Sequence, residues 1–384
     1  MRARVPSPDT FTSRLHDVRV AARVGRWLGV CFALAFVTGV LSHYAQATHQ
    51  PIPLPTRPVW GYQVTQAVHV LAGTAAVPLL LVKLWTVYPR LFHRPSRGVR
   101  ARLLTALERG SIALLVGAAL FEVTTGLVNV TQWYPWEFSF RRAHYAVGWT
   151  AMGALVVHVG VKLPVIRGAL ARDLDESDSY DDRRPSSPLD RRGLLRLSGL
   201  AAAVAAVSTA GGTLPSIDRL AVLSARRSGG PQGVPVNRTA RAAGVLAAAS
   251  DPEWVCEVRH GDRVVELDRA ALLAFPQHAV DLPIACVEGW SATGTWTGVR
   301  LRDLLRLVDA PDGAEVAFHS LQRRRAGRFS VLPAPFASDP LTLVALGLNG
   351  VPLSLDHGFP ARLIAPNRPG VTQTKWLARI EVLR

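Results

Sequence analysis

The sequence predicts a multi-domain protein: an all-α bundle of four or five transmembrane helices, followed by a mixed α+β domain. Three observations support this fold class. The first half contains repeated apolar runs of membrane-spanning length, while residues 213–384 have the composition of an ordinary soluble domain. From residue 251 onward, short strand-like runs alternate with turn residues. A length of 384 residues accommodates two or three domains.

The apolar runs define the predicted spans. A transmembrane helix needs about 20 mostly apolar residues, a requirement that four segments meet well and an Ala-rich fifth meets more weakly. The spans are residues 24–45, 62–88, 110–131, 143–165 and 194–212. The predicted order is a cytoplasmic tail (1–23), a four-helix membrane domain (24–165), a cytoplasmic linker (166–192), the fifth span (193–212) and an extracytoplasmic domain (213–384).

Arginine is concentrated before the first span, between the second and third spans, and after the fourth. The opposite loops contain only Arg57, Arg141 and Arg142. The positive-inside rule therefore places the N-terminus in the cytoplasm and the C-terminal domain outside it. Because the net charge of +16 lies beside apolar segments, it indicates membrane topology and no nucleic-acid partner.

Histidines inside the spans predict a haem. His69 lies in the second span and His144 in the fourth, both in the outer half of spans that run in the same direction. Such a pair can clamp a haem between two helices, although histidines also serve as polar contacts between helices. We expect haem b at His69 and His144. His158 lies on the same face of the fourth span as His144, about 21 Å further along the helix axis.

Whether His158 binds a second haem stays open. The residue at matching depth in the second span is Lys83, so His158 would need His93 or another partner. Glu122 is a further ionisable group within a span. Such groups are candidates for function, and Glu122 fits a proton relay to a quinone as well as a hydrogen bond to a neighbouring helix.

The linker and the fifth span contain a possible export signal. Residues 171–192 are charged and poor in apolar residues, which is typical of a flexible loop. The sequence Asp190-Arg-Arg-Gly-Leu-Leu then precedes an Ala-rich run. This pattern resembles an internal twin-arginine signal, which would export a domain already folded around a cofactor. Simple positive-inside anchoring is the alternative.

The C-terminal domain is predicted to be dominated by strands. Two short helices, 268–274 and 301–308, interrupt them. The predicted strands are 253–258, 263–267, 282–287, 315–319, 329–332, 361–364 and 380–382. The chain has three cysteines, Cys31, Cys256 and Cys286, too few for a disulfide framework. Cys31 and Cys256 fit small buried positions, whereas Cys286 precedes a Gly/Ser/Thr turn.

Three ordered motifs carry a family resemblance. The first is Cys286-Val-Glu-Gly-Trp-Ser with Trp296-Thr-Gly behind it, the second Asp356-His-Gly-Phe-Pro-Ala-Arg, and the third Gly370-Val-Thr-Gln-Thr-Lys-Trp. Over about residues 232–384 the chain resembles the sulfite oxidase superfamily of molybdopterin enzymes, especially the branch with the periplasmic methionine sulfoxide reductase catalytic subunit. The membrane half resembles, more loosely, the cytochrome b-like subunits that partner such reductases.

The resemblance implies roles for individual residues. Cys286 would be the thiolate ligand of molybdenum, a soft ligand for a soft metal. Ser320 falls where the branch has a hydroxyl near the metal, which makes it the second catalytic candidate. The pterin would be bound by Asn237, His357, Arg362, Gly370, Thr372 and Lys375, among which Arg362 can make a forked contact with a phosphate.

The resemblance also implies a reaction. The arginines that follow the cysteine in sulfite oxidases are absent here, where Val287-Glu-Gly-Trp stands instead. We therefore expect a membrane oxidoreductase that passes electrons from quinone or a cytoplasmic donor, through haem b, to a molybdenum centre that reduces an S-oxide or N-oxide such as methionine sulfoxide. The alternatives are an oxidase of a sulfite-like substrate and a membrane module that binds cofactors without turnover. The sequence predicts no oligomeric state.

Overall fold

The computed structural model of the chain describes residues 10–92 except 12, 98–176 except 132, 189–224, 229–323 and 328–383. Contacts divide the chain into two compact units. The first consists of residues 1–37 and 68–209, and the second of residues 38–67 and 210–384. Both β-sheets lie in the second unit.

Five long helices dominate the N-terminal half, and each is long and apolar enough to cross a membrane. They are α1 (Val18–Ala45), α2 (Gly61–Val87), α3 (Val99–Thr131), α4 (Phe140–Ala171) and α5 (Arg191–Ala210). This confirms the prediction of an apolar helical region followed by a domain with sheets. Helix α3 begins before the predicted residue 110, because helical backbone continues through the polar, exposed turns around Arg100 and Arg102.

Large apolar side chains cover the outside of the first unit. Trp27, Leu81 and Val156 are 57%, 59% and 64% exposed, whereas small residues such as Ala76 and Ala119 are buried between the helices. Water disfavours contiguous exposed apolar surface of this kind, and lipid tails do not. Close packing through small residues is also typical of helices in a bilayer.

Charged residues join the ends of α1, α4 and α5. Arg19 is 1% exposed and lies 2.8 Å from Asp17, and its guanidinium also donates to the carbonyl oxygens of Asp173 and Glu176. The predicted twin-arginine pair belongs to this group of charges. Arg191 lies 3.1 Å from Asp17 and Arg192 lies 2.9 Å from Asp175. In the folded chain these arginines anchor α5, and their use as an export signal stays a prediction.

The C-terminal domain contains two five-stranded sheets. One has the strand order β2-β1-β10-β5-β6, and the other has the order β3-β4-β7-β8 with β9 also paired to β7. The strands are β1 (Val255–His260), β2 (Arg263–Asp268), β3 (His278–Cys286), β4 (Trp290–Arg300), β5 (Val316–Ser320), β6 (Phe329–Leu332), β7 (Leu343–Leu348), β8 (Val351–Pro352), β9 (Arg362–Ile364) and β10 (Leu377–Val382).

The two sheets share an apolar core. One buried cluster includes Val258, Phe318 and Ile380 from the first sheet and Val299 and Val344 from the second. A second cluster lies around β3 and β4, and includes Leu282, Ile284, Cys286, Trp290 and Trp296. Two layers packed through a common core fix the strand ends on which the candidate site is built.

Candidate functional site

Cys286 is the last residue of β3, at the tight turn that leads into β4. Cys286 pairs with Trp290 across the hairpin, and the amide of Gly289 donates to the Cys286 carbonyl at 3.2 Å. Gly289 has a φ of +82°, a left-handed conformation that favours glycine. The Cys286 side chain is 1% exposed. Strand pairing and the turn therefore hold one thiol at a defined position.

A cavity of about 260 Å³ opens beside this thiol. Its wall brings together six of the residues predicted for the site: Asn237, Cys286, His357, Arg362, Gly370 and Lys375. These residues come from the start of the domain, the β3–β4 hairpin and the C-terminal tail. Side chains separated by more than a hundred residues thus meet around one space.

The cavity wall is cationic. Arg238, Arg362 and Lys375 line it, and none of the described lining residues is acidic. The Lys375 ammonium donates to Asn237 Oδ1 at 3.2 Å, to the Arg238 carbonyl at 2.7 Å and to the Asp356 carbonyl at 3.0 Å. Burial, and next the nearby Arg362, lower the pKa of Lys375 to about 7. An anion in the cavity would stabilise the charged form of this lysine.

Arg362 is 3% exposed. It donates to the His357 carbonyl at 3.0 Å and lies 4.9 Å from the centre of the Trp296 ring. Burial lowers its pKa to about 9, although an arginine is still charged at neutral pH. Among the described residues, the buried Arg362 guanidinium contacts carbonyl oxygens and an aromatic face. Such a group is suited to an anionic ligand.

His357 supports the cavity wall as a neutral ring. Burial and the adjacent Arg362 lower its pKa to about 4. Its Nε2 lies 2.7 Å from the Pro231 carbonyl, to which the neutral ring donates. The following residue, Gly358, has a φ of +110°, and a Cβ there would lie 3.0 Å from the Lys375 Cβ. The His-Gly sequence therefore permits the close packing of the tail segments that carry Arg362 and Lys375.

Two predicted site residues lie outside the cavity wall. Ser320 is 7% exposed, and its hydroxyl donates to the Lys375 carbonyl at 2.7 Å and accepts from the Gln322 amide at 3.3 Å. Thr372 donates to the Pro369 carbonyl at 2.9 Å within its own turn. Both hydroxyls thus brace the backbone of segments that line the cavity.

The sequence reasoning missed two amide side chains in the wall, Gln322 and Gln373. Gln373 is 2% exposed, and its Oε1 accepts from the Ala365 amide at 2.8 Å. Its Nε2 is buried and has no hydrogen-bond partner among the described residues. A buried donor without an acceptor is costly, so this atom indicates that a ligand with an acceptor belongs in the cavity. Gln373 stands within the motif that begins at Gly370, but its unpaired nitrogen is visible only in the structure.

Residues 243–384 match the family model described as "Oxidoreductase molybdopterin binding domain". Over these residues the chain is similar to a molybdopterin-binding oxidoreductase domain, and we call them the molybdopterin domain. It contains Cys286, Gln322, Gln373 and the tail residues of the cavity, while Asn237 lies just before the matched residues. The match agrees with the resemblance that the sequence motifs carry.

Curated relatives match part of the chain. The chain is similar to mitochondrial sulfite oxidase of Mus musculus, with 31% identity over 150 residues, 32% of this chain and 27% of the relative. It is also similar to the protein-methionine-sulfoxide reductase catalytic subunit MsrP of Xanthomonas axonopodis pv. citri (strain 306), with 36% identity over 109 residues, 25% of this chain and 34% of the relative. The chain spans about a third or less of the length of these curated relatives.

Among solved structures, the sulfane dehydrogenase SoxCD of Paracoccus pantotrophus aligns with 34% of this chain and 38% of its own, at 19% identity and a TM-score of 0.31.

The cavity of the molybdopterin domain fits its cofactor by the chemistry of its donors. A thiol at one end of the wall suits a soft metal, and three cations without an acid among the described lining residues suit an anionic pterin phosphate. The unpaired Nε2 of Gln373 adds a donor for an oxygen or nitrogen acceptor. The residues that would hold the cofactor are therefore Cys286, Asn237, Arg362 and Lys375. Gly370 lets the tail pack closely on β3, because a Cβ there would lie 3.0 Å from the Ile284 side chain.

In the helical unit, the structure brings His69 and His144 together. Their ring centres are 6.2 Å apart. His69 Nδ1 lies 2.8 Å from the Ala35 carbonyl and His144 Nδ1 lies 3.0 Å from the Thr125 hydroxyl. These contacts at Nδ1 orient the two rings and leave Nε2 as the nitrogen of each ring that could bind an iron.

Glu122 and His158 are the other ionisable candidates in the helical unit. Glu122 Oε2 lies 3.2 Å from His144 Nε2, so Glu122 contacts the neighbouring helix. Its role as a proton relay to a quinone stays a prediction. His158 lies further along α4 and is half-buried, and its predicted alternative partner His93 is outside the described residues. Among the described residues, no group of three or more His, Cys, Asp or Glu is placed to hold a metal ion. A haem between two histidines needs only two such ligands.

Proposed function

We propose that the protein is a membrane-bound molybdopterin-dependent oxidoreductase that reduces a neutral S-oxide or N-oxide, with methionine sulfoxide as the leading candidate. The observation that carries this proposal is the cavity in which Cys286 meets Lys375, Arg362 and the unpaired Gln373 amide. When bound, the molybdenum centre supplies two-electron oxygen-atom transfer. The net reaction is R2S=O + 2H⁺ + 2e⁻ → R2S + H2O.

The side chains of the cavity have separate tasks in this proposal. The Cys286 thiolate binds the metal, while Arg362 and Lys375 neutralise the anionic pterin. Ile284 and Trp290 make part of the wall apolar and limit the entry of water. The Gln322 and Gln373 amides are neutral hydrogen-bonding groups in the same cavity wall as the thiol. Neutral groups suit a polar S=O bond better than they suit a sulfite dianion.

The electrons come from the membrane in this proposal. A haem b held between His69 and His144 would accept them from quinone or from a cytoplasmic donor and would supply them to the molybdopterin domain. The helices α1–α5 span the bilayer with the N-terminus in the cytoplasm, and the molybdopterin domain lies outside. Support comes from the exposed apolar side chains of the helices and from the two histidines 6.2 Å apart.

Purified protein with its haem pre-reduced should be oxidised by methionine sulfoxide or dimethyl sulfoxide. The reason is that an S-oxide accepts two electrons at the molybdenum site, which the haem then refills. The measurement is the decay of the reduced haem absorption band after mixing, with the sulfide product quantified in parallel. A sulfone, whose stronger S–O bonds resist reduction, serves as the control.

A second candidate is oxidation of a sulfite-like anion with electrons flowing to quinone. The three lining cations Arg238, Arg362 and Lys375 favour it, because they suit an anionic substrate as well as an anionic pterin. Sulfite would then reduce the oxidised haem. If sulfite reduces the haem and no S-oxide or N-oxide oxidises it, the oxidase replaces the reductase.

A reporter fused after residue 384 should report an extracytoplasmic location. The arginine-rich loops retain their charge on the cytoplasmic side, which fixes the orientation of the spans. Two fusions are compared. Alkaline phosphatase is active only outside the cytoplasm, whereas a fluorescent protein that is exported in an unfolded state fluoresces only if it stays in the cytoplasm. Activity of the second fusion alone would contradict the topology.

A further inference from the structure

The segment that connects α1 to α2 has a fixed structure of its own. We call residues 45–62 the strap. The Tyr44 hydroxyl donates to the Ile52 carbonyl at 2.8 Å and accepts from the Ile52 amide at 3.0 Å. Gln50 Nε2 donates to the Ala45 carbonyl at 3.0 Å. These bonds fold the strap back on the end of α1 and present its second half to the molybdopterin domain, with which it forms one compact unit.

A forked ion pair holds the middle of the strap to this domain. The two terminal nitrogens of Arg57 lie 2.7 and 3.1 Å from the two carboxylate oxygens of Asp339. The Asp339 side chain is only 5% exposed, so water screens this pair less than it screens an ordinary surface pair. Fork-to-fork geometry also fixes direction, which makes the pair a specific contact.

Asn367 holds the end of the strap. Its Oδ1 accepts from the Tyr62 amide at 2.6 Å and its Nδ2 donates to the Pro55 carbonyl at 2.7 Å. A Cβ at Gly61 would lie 2.8 Å from the same Oδ1, so glycine permits this approach. One side chain of the C-terminal tail thus binds two points of the strap.

The strap reaches both chain segments that flank the cofactor cavity. Tyr62 is 5% exposed and is buried together with Ala45 and Ala285, the residue before Cys286. Val59 packs against the apolar cluster that contains Cys286. Ala285 in turn forms a β-bridge to Pro369, next to Gly370 in the cavity wall. The contacts of the strap therefore converge on the hairpin that carries the metal-binding thiol.

We infer that the strap is a built-in docking contact for electron transfer between haem and the molybdopterin domain, an inference that rests on the proposed function. The strap joins α2, which also carries His69, to the segment that carries Cys286. A domain attached only by its covalent link to α5 would have to find its electron-transfer position repeatedly. The strap and the domain belong to one compact unit, so we expect the loss of their contacts to slow electron transfer within the chain.

The test uses the full-length, cofactor-loaded protein with Arg57→Ala and Asn367→Gly combined. Glycine removes the Asn367 side chain without strain, because the φ of +50° at this position is open to glycine. Turnover with a reduced viologen dye, which donates directly to the molybdenum site, should stay within twofold of the parent protein. Oxidation of pre-reduced haem by the S-oxide should slow by roughly tenfold, the change produced by about 1.4 kcal/mol in the docking equilibrium.

A second readout does not depend on cofactor or activity. Hydrogen exchange at the Tyr62 amide should accelerate in the double variant, since its acceptor on Asn367 is gone. Arg57→Lys should restore part of the haem oxidation rate, because it keeps a charge near Asp339. Arg306→Ala is the matched control: it removes an exposed ion pair with Asp303 in the same domain and should change neither rate.

The outcomes separate the inference from the proposed function. Equal slowing of dye-driven and haem-driven turnover would make the strap a structural brace only and overturn the inference, as would unchanged haem oxidation with accelerated exchange. If the parent protein reduces no S-oxide or N-oxide even with the dye, the proposed reductase fails instead. The same variants are then compared by haem reduction with sulfite, for which the inference expects the same tenfold slowing.

Discussion

Cys286→Ser should yield a folded membrane protein without molybdenum-centred turnover. The thiol is 1% exposed at the cavity wall, and serine is close to it in size, so the fold should survive. A hydroxyl, however, is a poor ligand for a soft metal. Loss of a residue that only hydrogen-bonds to a metal ligand already costs about 10- to 100-fold in metal affinity or activity. Loss of the ligand itself should therefore lower turnover at least about 100-fold.

The measurement combines dye-driven turnover with the paramagnetic signal of molybdenum, and Cys256→Ser is the matched control. Cys256 is also 1% exposed, but it lies on β1 in the core shared by the two sheets, where burial raises the pKa of its thiol to about 12. Its replacement should cost stability and leave the molybdenum signal intact. Normal turnover together with an unchanged signal in Cys286→Ser would show that another group binds the metal.

The five helices were predictable because twenty apolar residues in a row have few structural alternatives. A rule based on apolar runs cannot predict helix outside such a run. Helix α4 therefore continues through Pro164 to Ala171, past the predicted end at residue 165. The turns of α3 around Arg100 were missed for the same reason.

Seven strands of the molybdopterin domain lie at or near their predicted positions. Strands β4, β7 and β8 were not predicted, and each shows why alternation of apolar and polar residues fails to predict some strands. Strand β4 contains Gly294 and Gly298, which read as turn residues. A Cβ at Gly298 would overlap the Val344 carbonyl, so this glycine serves close strand approach. Strand β7 is buried along nearly its whole length, which removes the alternation that reveals a strand. The short β8 offers too few residues for a pattern.

The candidate site was predictable as far as its motifs reach. Cys286, His357, Arg362 and Lys375 stand in recognisable local patterns, and the structure places them around one cavity. Gln373 stands in one of the same motifs, but its significance lies in an unpaired buried nitrogen, which only coordinates reveal. The contacts between the strap and the domain could not be predicted from the sequence. The pair Arg57–Asp339 joins residues separated by most of the chain, and no local pattern specifies such a contact.

His69→Ala and His144→Ala should each remove the haem. The two ring centres are 6.2 Å apart, and each ring is oriented by a hydrogen bond at Nδ1. An alanine would leave the iron of the proposed haem with one axial ligand and open a gap between α2 and α4, so the expected loss of the reduced b-type band is nearly complete in either variant. Dye-driven turnover should persist, because the dye bypasses the haem.

His158→Ala is the matched control, since it lies on the same face of α4 as His144 without joining the His69–His144 pair. It should leave at least one full haem equivalent, and a half-sized band would reveal the second haem. Glu122→Gln tests the contact of Glu122 with His144 Nε2, and it should keep the band because the amide leaves both histidines in place. If His69→Ala and His144→Ala both retained the full band, these histidines would be contacts between helices, and electrons would have to reach the molybdopterin domain without a haem bound at that position.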